Sequence, residues 1–426
     1  MTVDFLVLLS TEAAQTLTGG GRWGRLSCRV SEPDRVAAVI AISNGDDARR
    51  PVSAWDNTHF LAVADYRPIG FWHRVNQDLH VIWANAALRG IGIELSAFRE
   101  RIPAGFRSPG DGAHLVITYA PDVSPEYVGV PSIVAWHVQS DIVMPVRAEV
   151  CSASTGIAQL QGHWPVEILQ CKRIAMVGLG SIGSAAAHAL ARSGVGALDL
   201  IDPDRLLPHN LIRHTSSAKY VGKRKVEAMA IELREGNPHT AVQPFALDVV
   251  ADANRVRQVL ARADLVVCAA DGIEPRRVVT HLARRARTDA VLACVLEGGA
   301  LGEIIRLRPW PAHGCLTCRR ETLQDTGAFD PEPSLHRAYG EATVHRPMTA
   351  VGSDLQLIGQ HAAKIAVATL LEAEGEPDQR LPGEEFIVAL RPSPSWPAPY
   401  DLRRCGEVRW LPAMPPRGGC PTCTCG

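Results

Sequence analysis

Long apolar runs are missing from this 426-residue chain. No uncharged stretch approaches the roughly 20 residues that a bilayer-spanning helix requires. Charge imbalance is missing too: 44 Lys and Arg stand against 45 Asp and Glu, for a formal net charge of -1. No global basic field therefore marks the chain as a partner for nucleic acid or an anionic membrane. The opening MTVDFLVLLSTE lacks a basic segment and sets Asp4 ahead of its short apolar stretch, which argues against a signal peptide. Lysine is scarce, with five residues against 39 arginines. Base composition of the genome accounts for that bias, yet Lys219, Lys223 and Lys225 lie within seven residues of one another. Cysteine is not scarce, but its count of 11 is odd. In the cytoplasmic location expected here, thiols or metal ligands are a better reading than a disulfide framework.

Residues 1–165 read as a separate accessory α/β domain. Short β-like runs occur at 35–43, 59–66, 114–119 and 132–138, and 88–101 has the look of a short helix. No repeat, no clustered histidines and no cysteine between Cys28 and Cys151 disclose its role. The character changes in the second domain, expected over 166–426. Strands at 173–180, 197–202, 241–248, 264–269 and 290–296 alternate with helical stretches at 181–193, 223–235, 254–262 and 274–286. That alternation predicts a Rossmann-like parallel sheet covered on both faces. A polar segment, 321–347, is too long for an ordinary connector. A helix at 349–372, a linker at 373–384 and a β-rich tail with clustered cysteines follow.

Three constellations carry chemistry. Gly178-Leu179-Gly180-Ser181-Ile182-Gly183 follows a strand and opens a helix, so backbone N–H groups and a helix N-terminus can meet a phosphate. Asp202 ends the next strand, where a carboxylate can accept ribose hydroxyls. An NAD-dependent dehydrogenase would show the same pair. The second set separates the two: Pro203-Asp204, His209-Asn210-Leu211-Ile212-Arg213, Gly222-Lys223-Arg224-Lys225, and Asp271 with Arg276 beyond it. A triphosphate attacked at its α-phosphorus needs cations, here Arg213 and Lys225, and a carboxylate to hold Mg²⁺, here Asp271. A dehydrogenase has no need of them. The third set is Cys315-Leu316-Thr317-Cys318 and Cys420-Pro421-Thr422-Cys423. Two such pairs can close a tetrahedral, structural Cys₄ Zn²⁺ site that staples the tail to the domain.

Taken together these residues resemble the E1-like adenylating family, the ThiF/MoeB-type enzymes and the adenylation halves of ubiquitin-activating enzymes, over about 170–426. GLGSIGS looks like its nucleotide loop, LIDPD like its ribose-binding D-x-D, and NLIRH like its N-L-x-R-Q with His214 in place of Gln. VGKRKVEA resembles the segment of its ATP-binding lysine, which falls on Lys225, and Asp271 falls on its Mg²⁺-binding aspartate. The cysteine pairs match its structural zinc ligands. The resemblance implies an ATP-dependent adenylyltransferase. It would activate the C-terminal Gly carboxylate of a bacterial-type ubiquitin-like protein and release pyrophosphate, for an E2-like or other acceptor. It also implies a homodimer, and gives no role to nucleic acid or membrane.

Two departures stand out. No cysteine occurs between Cys318 and Cys405, where thioester-forming members carry a nucleophile; Cys405 and Cys425 are left over, and Cys268 and Cys294 sit on expected buried strands. The stretch GHWPVEILQCKR lacks the family's arginine-bearing R-x-x-R-Q pattern, so a compensating cation has to come from elsewhere. Alternatives are an enzyme that adenylates a peptide or a sulfur carrier, and a silent scaffold, against which intact Arg213, Lys225 and Asp271 count.

Overall fold

Alternation of apolar and polar residues in the first 150 positions builds a sheet that returns on itself. Its strands are β1 (Leu6–Ser10), β2 (Trp23–Ser31), β3 (Val36–Ile42), β4 (Arg50–Pro51), β5 (Asp65–Arg74), β6 (Ile93–Glu94), β7 (His114–Tyr119), β8 (Ile133–Val138) and β9 (Ile142–Cys151). β1 pairs in parallel with both β3 and β9, which closes the path β1-β3-β2-β5-β7-β8-β9 into a ring. Leu115 and Ile117 of β7 join one core with Leu9, Leu26 and Trp72, into which α1 (Thr11–Thr18) sets Ala13 and Leu17. Val116 between them joins a second core under α2 (Gln77–Arg89) and α3 (Leu95–Glu100), where Phe98 meets Trp136 edge-on at 5.1 Å. The helix expected over 88–101 is therefore two helices. Gly90 ends α2 in the left-handed region at φ 64, a glycine stop that the expected single helix ran through.

The computed structural model describes residues 5–31, 33–52, 65–110, 112–151, 156–309, 311–325, 350–376 and 379–423. Most of the expected 59–66 strand and of the polar segment 321–347 lies outside them. The chain divides into Met1–Thr155 and Gly156–Gly426. No helix among the described residues is long and apolar enough to cross a membrane.

The second unit begins with α4 (Val166–Gln170) and then alternates: β10 (Arg173–Val177), α5 (Ser181–Arg192), β11 (Ala197–Ile201), α6 (Lys225–Gly236), β12 (Ala241–Phe245), α7 (Ala253–Leu260), β13 (Leu265–Cys268), α8 (Ile273–Ala286) and β14 (Asp289–Leu296). These strands lie parallel in the order β12-β11-β10-β13-β14. The order reverses beside β10, so a crevice opens at the carboxyl ends of β10 and β13. The sheet is longer than the expected parallel core. β15 (Leu301–Leu307), β16 (Glu385–Ala389) and β17 (Val408–Leu411) extend it in antiparallel fashion.

Both faces are covered, as near-continuous apolar strands require. Ile174 and Met176 face a core with α5, α6 and α10 (Gly352–Ala373); Ala175 and Val177 face one with α7, α8 and α9 (Leu316–Asp325). The buried Asp199 inside β11 is paid for by Arg173 at 3.1 Å and Arg262 at 3.0 Å.

Candidate active site

Four chain reversals at the carboxyl edge supply the candidate site. β10 stops at Val177 and Gly178 follows with φ 85. A Cβ there would lie 2.5 Å from the Ala270 nitrogen, so the loops after β10 and β13 meet backbone to backbone. Gly183, in the first turn of α5, would set its Cβ 1.9 Å from the Gly178 carbonyl oxygen. Gly180 differs: it caps α5 at φ -73, without a side-chain cap, and nothing lies within 4 Å of its would-be Cβ. Open space thus lies over an uncapped helix N-terminus with Ser181 as the first helical residue, an end whose free N–H groups suit an anion.

Asp202 braces that loop. Its Oδ2 accepts from the Leu179 N–H at 2.7 Å and its Oδ1 from the Asp204 N–H at 2.8 Å. Burial raises its carboxyl above the usual range, against the pull of Lys225 and the two N–H donors. Lys225, itself buried at the start of α6, sits with Nζ 2.7 Å from the exposed Asp204 and 3.8 Å from Asp202. The aspartates thus divide the work: Asp202 shapes the loop, and Asp204 faces outward. His214 closes the cluster from the other side, with Nε2 2.8 Å from the Leu179 oxygen. Asn210 Oδ1 accepts from the Leu207 N–H at 2.9 Å and so shapes its own turn. Among the described residues, no ion pair engages Arg213, half-buried beside His214, or the exposed Asp271 on the loop that touches Gly178.

The structure therefore bonds Asp202, Asp204 and Lys225 to one another and, through the Leu179 N–H, to the loop that carries Gly178, Gly180, Ser181 and Gly183. It sets Asn210, Arg213 and Asp271 on flanking loops. Cys315, Cys318, Cys420 and Cys423 form a group of their own at α9 and the tail. All four Sγ atoms lie within 4.8 Å of one another, with Cys315–Cys420 at 3.5 Å and Cys318–Cys423 at 3.7 Å. The Arg417 N–H also points at the Cys318 sulfur at 3.2 Å. Four converging sulfurs fit a metal ion of thiolate preference.

The model of the ThiF family matches residues 157–379. The chain belongs to the ThiF family. Its relatives include the tRNA threonylcarbamoyladenosine dehydratase of Escherichia coli (strain K12), 33% identical over 171 residues, or 40% of this chain and 60% of that protein. The molybdopterin-synthase adenylyltransferase of the same strain is 38% identical over 111 residues, or 26% and 44%. The SAMP-activating enzyme E1 of Haloferax volcanii is 34% identical over 117 residues, or 27% and 43%. This ThiF-family chain thus spans less than two thirds of the length of each.

Two features of the ThiF unit escape a linear reading. The imidazole of His214 reaches a carbonyl 35 residues away; only its place directly after Arg213 hinted at a role. Cys294 is half-buried rather than sealed in its strand, and Arg276 donates to its sulfur at 3.0 Å. Cys268 is fully buried as expected, and burial pushes its thiol up to about 11.

Proposed function

We propose that this chain is an E1-like activating enzyme whose domain 166–426 adenylates the C-terminal Gly carboxylate of a ubiquitin-like protein with Mg-ATP. The observation that carries the reading is the open space over Gly180 at the uncapped N-terminus of α5, on a loop that Asp202 ties to the Asp204–Lys225 pair. The substrate carboxylate attacks the α-phosphorus, the bond to the bridging oxygen breaks, and acyl-adenylate and pyrophosphate form. Lys225 and Arg213 offset the charge gathering on the phosphates, and the Leu179–Gly183 backbone orients them. Asp271 would hold Mg²⁺, which supplies further charge neutralisation. The four cysteines would hold Zn²⁺, which supplies cross-linking and no chemistry.

The relatives named as an adenylyltransferase and as an activating enzyme support this reading. A relative named for tRNA modification leaves a second carboxylate class in play, and the balanced charge of the chain speaks against it. ATP–pyrophosphate exchange tests the proposal, with a panel of ubiquitin-like proteins ending in Gly, short peptides, sulfur-carrier proteins and tRNA. Exchange driven by a folded ubiquitin-like protein is the expected result; exchange with peptide or tRNA alone reassigns the substrate. Asp271→Ala should abolish exchange while its unfolding temperature stays that of the wild type, and retained exchange would discredit Asp271 as the Mg²⁺ ligand. The homodimer and the cytoplasmic setting belong to the same proposal, read by sedimentation and by fractionation of expressing cells.

A further inference from the structure

The Leu179 peptide is held at both ends. Its N–H goes to Asp202 and its carbonyl oxygen accepts from His214 Nε2 at 2.8 Å. On the far side of the imidazole, the Ser216 N–H lies 3.0 Å from Nδ1. A backbone N–H can only donate, so Nδ1 is the bare nitrogen and Nε2 carries the proton. The two contacts select one neutral tautomer of a ring that is 6% exposed.

We propose that His214 is a positioning residue that sets nucleotide affinity through the Leu179 carbonyl, and that it does so only as the neutral imidazole. This rests on the nucleotide reading of the loop given above. Leu179 stands between Gly178 and Gly180, so the carbonyl that His214 grips fixes the peptide plane next to the open space over Gly180. A doubly protonated ring would turn Nδ1–H against the Ser216 N–H, exchanging a hydrogen bond for two opposed donors. The strut would then shift, and the loop with it.

The charged groups facing the ring are His188 from α5 and Lys225 and Glu232 from α6. Burial has the largest effect and lowers the imidazole's affinity for a proton. The Leu179 carbonyl and Glu232 raise it, Lys225 and His188 lower it, and the net result lies below the ordinary 6.5. The ring is therefore neutral at neutral pH and takes up its proton only on the acid side. Since His214 touches the loop and not the reacting atoms, its effect belongs in the ATP dissociation constant and KM, with kcat at saturating ATP little moved.

Glutamine carries one donor and one acceptor on a chain of similar reach and does not titrate. The test is ATP affinity by calorimetry between about pH 8 and 5, on the full-length wild type, His214→Gln and His214→Leu, with melting temperatures alongside. ATP and all other groups titrate equally in the Gln variant, so the difference between the two profiles belongs to His214. Expected is an acid-side loss of affinity in the wild type that His214→Gln removes while restoring neutral-pH binding. His214→Leu should bind about tenfold more weakly at neutral pH, the effect of one buried acceptor left unpaired. Wild-type affinity in the Leu variant, or the same acid loss in the Gln variant, overturns the proposal. If the Leu variant does not fold, the Gln profile decides alone. A wild type that binds no ATP at any pH overturns the nucleotide reading and this proposal with it, a result distinct from binding that ignores residue 214.

Discussion

Alanine at Gly180 and at Gly183 should fail in opposite ways. At Gly183 the added Cβ would sit 1.9 Å from the Gly178 oxygen, more than an ångström inside the closest contact real Cβ atoms make. The oxygen belongs to backbone held at Ile201 on one side and Ala270 on the other, so α5 has to move. Overpacking of that kind costs about 3 kcal/mol, against about 1 kcal/mol gained by replacing a helical glycine. A net loss of about 2 kcal/mol lowers the melting temperature by roughly 4–8 °C in a unit of this size. At Gly180 the same methyl meets nothing within 4 Å, on a backbone at φ -73 that alanine tolerates. A poorer N-cap, by about 1 kcal/mol, nearly offsets the roughly 0.4–1 kcal/mol gained from a stiffer unfolded chain. Stability should therefore hold within about 2 °C, while the methyl takes the place of a phosphate oxygen. Differential scanning calorimetry and ATP titration on both variants read the two axes. Gly180→Ala with intact ATP affinity would refute a phosphate over Gly180, and Gly183→Ala with unchanged stability would refute the helix–loop contact.

Two further outcomes follow from the same packing. With zinc held by the four cysteines as proposed, Cys420→Ser should drop the metal content from one ion per chain to near none and cost about 2–5 kcal/mol, as for other lost cross-links, read by metal analysis and denaturant melts. Buried Glu303 is pushed up by burial, but Arg320, at 2.9 Å, outweighs this and holds it at about 2 against a usual 4.5. A depressed carboxyl contributes stability above 4.5 that is lost as pH falls toward about 2. Glu303→Gln should flatten that limb of a melting-temperature profile and, by removing the buried charge that Arg320 pairs with, cost about 3–5 kcal/mol at neutral pH.

Much of the second unit was legible because its chemistry is local. Apolar runs ending in Gly or Asp mark β10, β11 and β13, and their observed ends fall close to the expected ones, since parallel strands buried on both faces leave little room for polar residues. The cysteine pairs were legible because a metal site needs few residues at short spacing. What stayed hidden depends on distant partners. β16 is an antiparallel addition whose register is set by β15, some 80 residues earlier, and β17 in turn pairs only onto β16. The ring of the first unit hinges on β1, five residues long, pairing with β9 141 residues later. His214 reads as a substitution in a motif until Leu179 and Ser216 are placed on its two nitrogens.

The cysteine group also has a history written into its spacing. Cys315 and Cys420 are 105 positions apart, and Cys318 and Cys423 likewise. At about 5–20 residues per second on the ribosome, the first pair waits roughly 5–20 s for the second. During that interval α9 carries two thiols that no intramolecular ligand can satisfy, and the antiparallel strands β16 and β17 are still unmade. Capture of the proposed zinc ion by the complete set would thus be a late event in the life of each molecule. A chain interrupted anywhere in between has the Gly178–Gly183 loop but no second cysteine pair, so ion content would report whether synthesis reached the tail.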